Sequence, residues 1–453
     1  MTHLGIHDGH NASAAVVRDG LLAMAVQEER FTRIKNQGDV PEQAIAHYDG
    51  SIDSIALNGT YMNYGQWRRA AILADYRATP TRRWRDVVKG TALDRAYQLR
   101  KARARERAIA ELPVLAPLAA IEHHTAHAAT AYYTSPWRDG TALGMTCDGS
   151  GDRLSASVSL GRNGRLERIA AVSESDSIGR LYSLVTFALG LTPLEHEYKV
   201  MGLAPYGRNS SLFAGAFEFP SPLTWKRGVT DAAILTRCRN RRFDDLAASA
   251  QREVELLLPV WIRNAIYETG IRNVVCAGGV FMNVKANLAV LQIPELEQLY
   301  IAPSCGDESN SIGAAIMAAA QAGEAIGPMP APYLGPDITN EEADQALQGH
   351  RLRVRYCRNI EDLAAEAVAN GHIVARAKGP MEFGARALGN RSILARADSA
   401  TAVRQINHAI KQRDFWMPFA PTILAERSNE YCDKPKSHVS PYMMMTYTVR
   451  TPK

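Results

Sequence analysis

Two stretches of this chain open in the same way. His10 to Gln27, "HNASAAVVRDGLLAMAVQ", and Asp148 to Val172, "DGSGDRLSASVSLGRNGRLERIAAV", each pass from a small polar loop into alternating strand-like residues. Each then turns at Asp19-Gly20 or Asn163-Gly164, dipeptides that accept the positive φ angles of a two-residue hairpin, before a second strand. The repetition implies two related halves. A loop of Gly, Ser and Asp beside a hairpin presents backbone N–H groups to phosphate oxygens, so two such loops facing each other embrace a nucleotide.

That is the logic of the actin-like ATP-binding fold, shared by sugar kinases and the Hsp70 type, and it sets the expected class as α/β with duplicated halves. Two later segments fit it. "VVCAGGVFMNVKANLAVL" (Val274 to Leu291) reads strand, Gly-Gly turn, helix, and "LYIAPSCGDESNSIGAAIMAAAQAG" (Leu299 to Gly323) reads strand, polar loop, helix. Loops at the carboxyl ends of strands are where α/β folds bind ligands. Pro and Gly then gather in "GPMPAPYLGPDITNEEADQAL" (Gly327 to Leu347), where Thr339 is placed to cap a new helix. We therefore divide the chain at 340, into 1–340 and 341–453.

At 453 residues the chain is about three times the length of one typical domain. Hydrophobic residues at 46% and charged residues at 22% exclude a disordered or fibrous chain. No apolar run is long enough to span a membrane, and "MTHLGIHDGHNAS" lacks a signal-peptide pattern, so a cytoplasmic protein is expected. The six cysteines are scattered without a C-x-x-C pair, against a disulfide framework or structural zinc site. Much of the net charge of +5 sits in "RRWRDVVKGTALDRAYQLRKARARERA" (Arg82 to Ala108). Its interleaved acids and helical spacing read as a solvated helix face rather than a nucleic-acid surface.

"EHHTAHAA" (Glu122 to Ala129) holds three of the chain's 12 histidines. Helical spacing puts His123 and His127 at i and i+4 on one face, where two imidazoles can chelate one ion. The alternative is a histidine cap with its neighbours hydrogen-bonded in the core. A metal site needs a carboxylate from elsewhere, and Asp307, in the last strand-to-helix loop, is the candidate; taken by itself it reads first as a helix N-cap.

Taken together, "HNASAAVVRDG", "QEERFTRIKN", "EHHTAHAATAYY", "DGSGD", "EYKVMGLAPYG", "CAGGVFMNVKANL", "GDESNSIGAA", "MEFGARALGNRSILA" and "INHAIKQRDFWMPFAPTIL" resemble, in order and from end to end, the carbamoyltransferases of the NodU/CmcH type. Those enzymes O-carbamoylate nodulation factors and antibiotics. The resemblance implies a Kae1-like domain of the actin-like (ASKHA) class over 1–340, followed by a YrdC-like α/β domain over 341–453. It implies His123, His127 and Asp307 as ligands of a divalent metal, iron(II) by the family pattern, facing bound nucleotide. His10 matches the histidine beside the transferred carbamoyl group, although Asn11 stands where most relatives have Asp. A histidine near neutral pH suits removal of a proton from an attacking hydroxyl. Lys199 would place a second catalytic cation near phosphates or acceptor. Gly278, Gly279 and Asn283 would approach adenosine, and Asp148 and Asp152 would contact acceptor, phosphates or outer-shell water.

In the second domain, Arg386, Arg391, Lys411 and Arg413 would grip carbamoyl phosphate and ATP, both polyanions that guanidinium forks suit. Pro380 and Met417 replace two arginines of the family pattern, and the sequence stops at "YMMMTYTVRTPK", short of an L-N-T-S-F-N type segment. The YrdC-like part is thus expected to be incomplete. The implied activity is ATP-dependent, with Mg accompanying ATP: carbamoyl phosphate yields carbamoyl adenylate, and the carbamoyl group passes to a hydroxyl of a natural-product acceptor. The competitors are a tRNA threonylcarbamoyl-type enzyme and a non-enzymatic nucleotide-binding partner. Expected partners are a small hydroxylated acceptor, without membrane or nucleic acid; a homodimer and a polypeptide completing the second domain stay open.

Overall fold

The computed structural model describes residues 1–60, 69–79, 91–112, 114 and 116–450. Its centre is a pair of five-stranded sheets with one topology used twice. The first has the order β3-β2-β1-β4-β5, built from β1 (Thr2–His7), β2 (Ser13–Arg18), β3 (Leu21–Gln27), β4 (Ser54–Asn58) and β5 (Leu118–Ile121). β1 to β3 form an antiparallel meander, and β4 and β5 add in parallel to β1. In the second half β6 (Thr141–Gly151), β7 (Leu154–Arg162) and β8 (Arg165–Ser173) repeat the meander. A small hairpin of β9 (Phe217–Ser221) and β10 (Thr224–Arg227) intervenes before β11 (Asn273–Ala277) and β12 (Gln298–Ile301), which add in parallel to β6. This is the duplicated actin-like arrangement expected from the sequence.

The two turns that suggested it have the expected conformation. Asp19 and Gly20 have φ of 51° and 74°, and Asn163 and Gly164 have 49° and 74°, the pair of positive angles that a type I′ turn requires.

Five helices position the site: α1 (Ala92–Ala110), α2 (His123–Tyr133), α3 (Glu197–Leu203), α4 (Val284–Leu291) and α5 (Asn310–Gln321). Helix α2 leaves the end of β5 and is almost wholly buried, and Glu122 caps it by accepting from His124 N and Thr125 N. The cap is therefore the glutamate, which releases all three histidines for other work. Helix α5 runs against α2 so closely that a Cβ on Gly313 would lie 1.9 Å from the Ala126 carbonyl oxygen. Gly313→Ala must push the two helices apart, at a cost of roughly 1–3 kcal/mol. A lower denaturant midpoint at unchanged slope is the expected reading.

Downstream, Thr339 caps Asn340–Leu347 in a capping box with Glu342, as the sequence suggested. The C-terminal segment adds the hairpin β13 (Val374–Ala377) and β14 (Arg391–Leu394) and docks on the first part at several points. Arg30 donates to the Gly384 carbonyl, Asn287 to the Met444 carbonyl, and the Trp416 indole to the Lys199 carbonyl. All six cysteines are free. Among the described residues no helix is long and apolar enough to cross a membrane.

The described part of the basic run is a largely solvent-facing helix as expected, with Arg100, Arg103, Glu106 and Arg107 exposed and one exception. Residues 82–90 lie outside the described residues, and the remainder is α1, whose Arg105 is only 4% exposed and paired with Asp8 rather than solvated. Helical spacing shows which face a charge occupies, not whether a carboxylate from another strand end waits beneath it.

Candidate metal centre and adjoining pocket

Because α2 begins directly at the end of β5, its first turn lies at the carboxyl edge of the first sheet, and its i, i+4 spacing stacks His123 over His127. Their Nε2 atoms are 3.1 Å apart. Asp307 comes from the loop after β12, with Oδ1 at 3.5 Å from His123 Nε2 and 3.3 Å from His127 Nε2. It makes no helix-capping hydrogen bond, which removes the N-cap alternative. Asp148, near the end of β6, puts Oδ2 at 3.3 Å from His123 Nε2. One ligand atom from each of the four lies within 4.8 Å of all the others.

These distances fit a shared ion. Donors about 2.1 Å from a tetrahedral centre sit roughly 3.4 Å apart, close to the observed separations. Two imidazoles and two carboxylates suit a divalent transition metal. The electrostatics agree. Burial opposes charge on His123, but Asp307 and Asp148 outweigh it and push the imidazole up to about 9. Burial likewise opposes ionisation of Asp307, yet His10, His123 and His127 hold its carboxyl well below the usual range. Asp148, opposed by burial and by Asp307, is also held low by the same two histidines. The site is thus a buried pair of carboxylates in want of positive charge. His124 takes no part: burial and the nearby His123 and His127 lower it to about 3, and its Nδ1 meets Thr146 Oγ1 at 2.8 Å.

His10 lies beside this centre, its Nδ1 3.3 Å from Asp307 Oδ2. One carboxylate therefore faces the histidine pair with Oδ1 and His10 with Oδ2. A small surface pocket opens beside this centre, lined by His10, Lys35, Asn36, Arg69, Thr192 and Glu195 among others. Arg69 donates to Thr192 Oγ1 at 3.0 and 2.7 Å, and Glu195 stands 3.8 Å from Lys35 Nζ and 3.9 Å from Arg69 Nε. Lys35 and Asn36 belong to a recognised motif, "QEERFTRIKN"; Arg69 and Glu195 carried no sequence signal.

The other expected site residues have partners within the protein. Asp152 is a brace: it accepts from Thr60 N and, at 2.8 Å, from His123 N, tying the end of β4 to the first turn of α2. Gly278, at φ 106°, would bring a Cβ within 2.2 Å of the Cys147 carbonyl, so its smallness serves the contact with β6. Gly279 N donates to Asp148 Oδ1 at 3.0 Å. Asn283 caps α4 and exchanges two amide hydrogen bonds with Gln251. Lys199, on α3, is 3.0 Å from Asp414 of the C-terminal segment.

The four C-terminal cations do not share partners. Arg386 reaches the Met282 carbonyl at 3.4 Å, and burial lowers it despite the nearby Cys305 and Glu308. Arg391 donates to the carbonyls of Lys378, Gly379, Asn390 and Pro336. Arg413 donates to Asn407 Oδ1 and lies over the Phe419 ring. Lys411 is exposed.

Comparison with known proteins shows the family. The family profile "Carbamoyltransferase N-terminus" matches residues 2–316, and "Carbamoyltransferase C-terminus" matches residues 365–453. An uncharacterised protein of Synechocystis is 32% identical over 99% of this chain and 80% of its own length. Nodulation protein NolNO of Sinorhizobium fredii is 31% identical over 98% of this chain and 67% of its own. Nodulation protein NolO of Bradyrhizobium diazoefficiens is 32% identical over 74% and 64%. Among solved structures, HypF of T. kodakarensis is similar at 14% identity and a TM-score of 0.40, over 70% of this chain and 46% of that one, too loose a likeness to carry an argument. From the two matched profiles and the nodulation relatives, the chain belongs to the carbamoyltransferase family and is a transferase enzyme.

Proposed function

We propose that the chain is an ATP-dependent O-carbamoyltransferase that draws on carbamoyl phosphate, passes through carbamoyl adenylate and delivers the carbamoyl group to a hydroxyl of a small natural-product acceptor. The observation that carries this reading is the juxtaposition of a four-donor metal centre, His10 and an open cationic pocket. Transfer belongs to residues 1–340, and adenylate formation to the YrdC-like part, 341–453.

The acceptor enters the pocket between His10 and the Lys35, Arg69 and Glu195 group. Nδ1 of His10 is turned toward Asp307 Oδ2 at 3.3 Å, which leaves Nε2 as the nitrogen to face the acceptor and take its proton. As the hydroxyl oxygen bonds to the carbamoyl carbon, its proton moves to Nε2 of His10. The bond from that carbon to the phosphate oxygen breaks, and AMP leaves with the electron pair. Lys35 and Arg69 offer positive charge to the anion being released, an effect of about 3–4 kcal/mol for a well-placed donor. His123, His127, Asp148 and Asp307 would hold the metal, iron(II) by family resemblance, which supplies Lewis-acid polarisation of bound oxygen.

Incubation with ATP, carbamoyl phosphate and a panel of hydroxylated metabolites tests this reading by mass spectrometry. One acceptor should gain a carbamoyl group while AMP accumulates. Failure of the folded, metal-loaded enzyme to form AMP or carbamoylated product from any acceptor, even with supplied carbamoyl adenylate, would overturn it.

A further inference from the structure

Helix α1 is polar around most of its circumference, yet it drives one guanidinium into the interior. Arg105 forms a two-pronged pair with Asp8, Nε to Oδ2 at 2.6 Å and Nη2 to Oδ1 at 2.5 Å, and both side chains are almost fully buried. Two further N–H groups donate to the carbonyls of Asn58 and Gly59 at the end of β4. Taking an ion pair out of water costs several kcal/mol per ion before attraction offsets it, and well-packed apolar residues would anchor a helix more cheaply. Ile109, buried one turn further on, already does so. A buried fork is suited instead to fixing orientation, which a point charge on a flexible stem does poorly.

What it orients is the loop that carries His10. Asp8 follows β1 and precedes His10 by two residues. The same strand end holds the loop a second time: Asn58 Nδ2 donates to His7 Nδ1 at 2.9 Å, and His7 Nε2 donates to the His10 carbonyl at 3.0 Å. Burial lowers His7 to about 4, so it stays neutral, and these two bonds are satisfied by a single tautomer. Asn11 completes the bend with φ of 61°. Arg105 and His7 therefore grip the loop on either side of a residue whose ring must face Asp307. The chain between β4 and β5 that provides Arg105 also provides Arg69 and Ile72 to the pocket wall.

We propose that Arg105 is a positioning residue for carbamoyl transfer, which locks Asp8 to the end of β4 and so holds the His10 ring with Nδ1 toward Asp307 and Nε2 toward the acceptor pocket. The inference rests on the reading of His10 as the base. Removing Arg105 alone would strand a buried carboxylate and endanger folding, whereas neutralising both partners is far milder. The test variant is therefore Arg105→Met combined with Asp8→Asn, alongside Arg105→Lys, which keeps the charge and loses the fork.

Two readouts are taken on full-length protein. The first is transfer from supplied carbamoyl adenylate to glycerol as a surrogate hydroxyl. We expect kcat to fall about 100-fold in the double variant, the effect of a misplacement near one ångström, with KM and metal content near wild type. Arg105→Lys should fall between the two. The second is the ¹⁵N spectrum of the His10 imidazole in zinc-loaded protein, which should show one Nδ1–H tautomer in the wild type and a mixture in the double variant. A folded double variant with wild-type kcat and an unchanged His10 signal overturns the proposal. So does parallel loss of kcat, metal and melting temperature with the His10 signal intact, because that marks a purely structural role. If the double variant does not fold, Arg105→Lys is judged by the same two signals. His10→Ala run in parallel separates the layers: full transfer by it sinks the base assignment, whereas loss in it with none in the Arg105 variants sinks positioning alone.

Discussion

Replacing His127 with alanine is expected to strip the metal from the protein and abolish transfer while leaving the fold in place. Its Nε2 sits 3.1 Å from that of His123 and 3.3 Å from Asp307, within the donor cluster. Loss of an outer-shell partner typically lowers metal affinity 10- to 100-fold, so loss of a direct ligand should exceed about 100-fold. The remaining donors, one imidazole and two carboxylates, lack one nitrogen of the set and hold an ion more weakly. Elemental analysis after desalting measures the occupancy, and circular dichroism guards against misfolding. Full occupancy in the variant would show that the cluster is not the metal centre.

The second large effect belongs to His10→Ala. Its ring contacts Asp307 but is not one of the four clustered donors, so metal content should remain near wild type. Carbamoyl transfer should drop by about 10² to 10⁴, the usual contribution of a general base. The two variants thus separate in a single pair of assays: one loses metal and activity, the other activity alone. A His10→Ala enzyme within tenfold of wild type would mean that the proton leaves by another route.

Much of this architecture could be read in the residues. Asp19-Gly20 and Asn163-Gly164 mark turns because few other dipeptides accept two positive φ angles in sequence, and the repeated meander follows from them. His123 and His127 share a face by helical geometry alone. Asp307 needed the family resemblance, because nothing local distinguishes a ligand from a capping aspartate. Asp148 was recognised as a loop acid but not as a fourth donor, since its meeting with His123 is set by how β6 lies beside α2. Arg105 was hidden for the opposite reason: in a run of charges, periodicity suggests solvent, and its partner lies 97 positions away. Arg391 carries a motif-like signature, yet its guanidinium is occupied by four backbone carbonyls.

The candidate centre draws on residues from position 10 to position 307, on both sheets and the helix that follows the first. Thermodynamic linkage gives that span a practical meaning. Anything that fills the site ties distant parts of the chain together and is absent from the unfolded state, so it adds RT ln(1 + [L]/Kd) to the free energy of unfolding, about 2.7 kcal/mol at a hundredfold excess over Kd. The melting temperature of this protein is therefore not one number. It belongs to a solution, and a chelator or a trace of free ion in the buffer should move it without touching a single side chain.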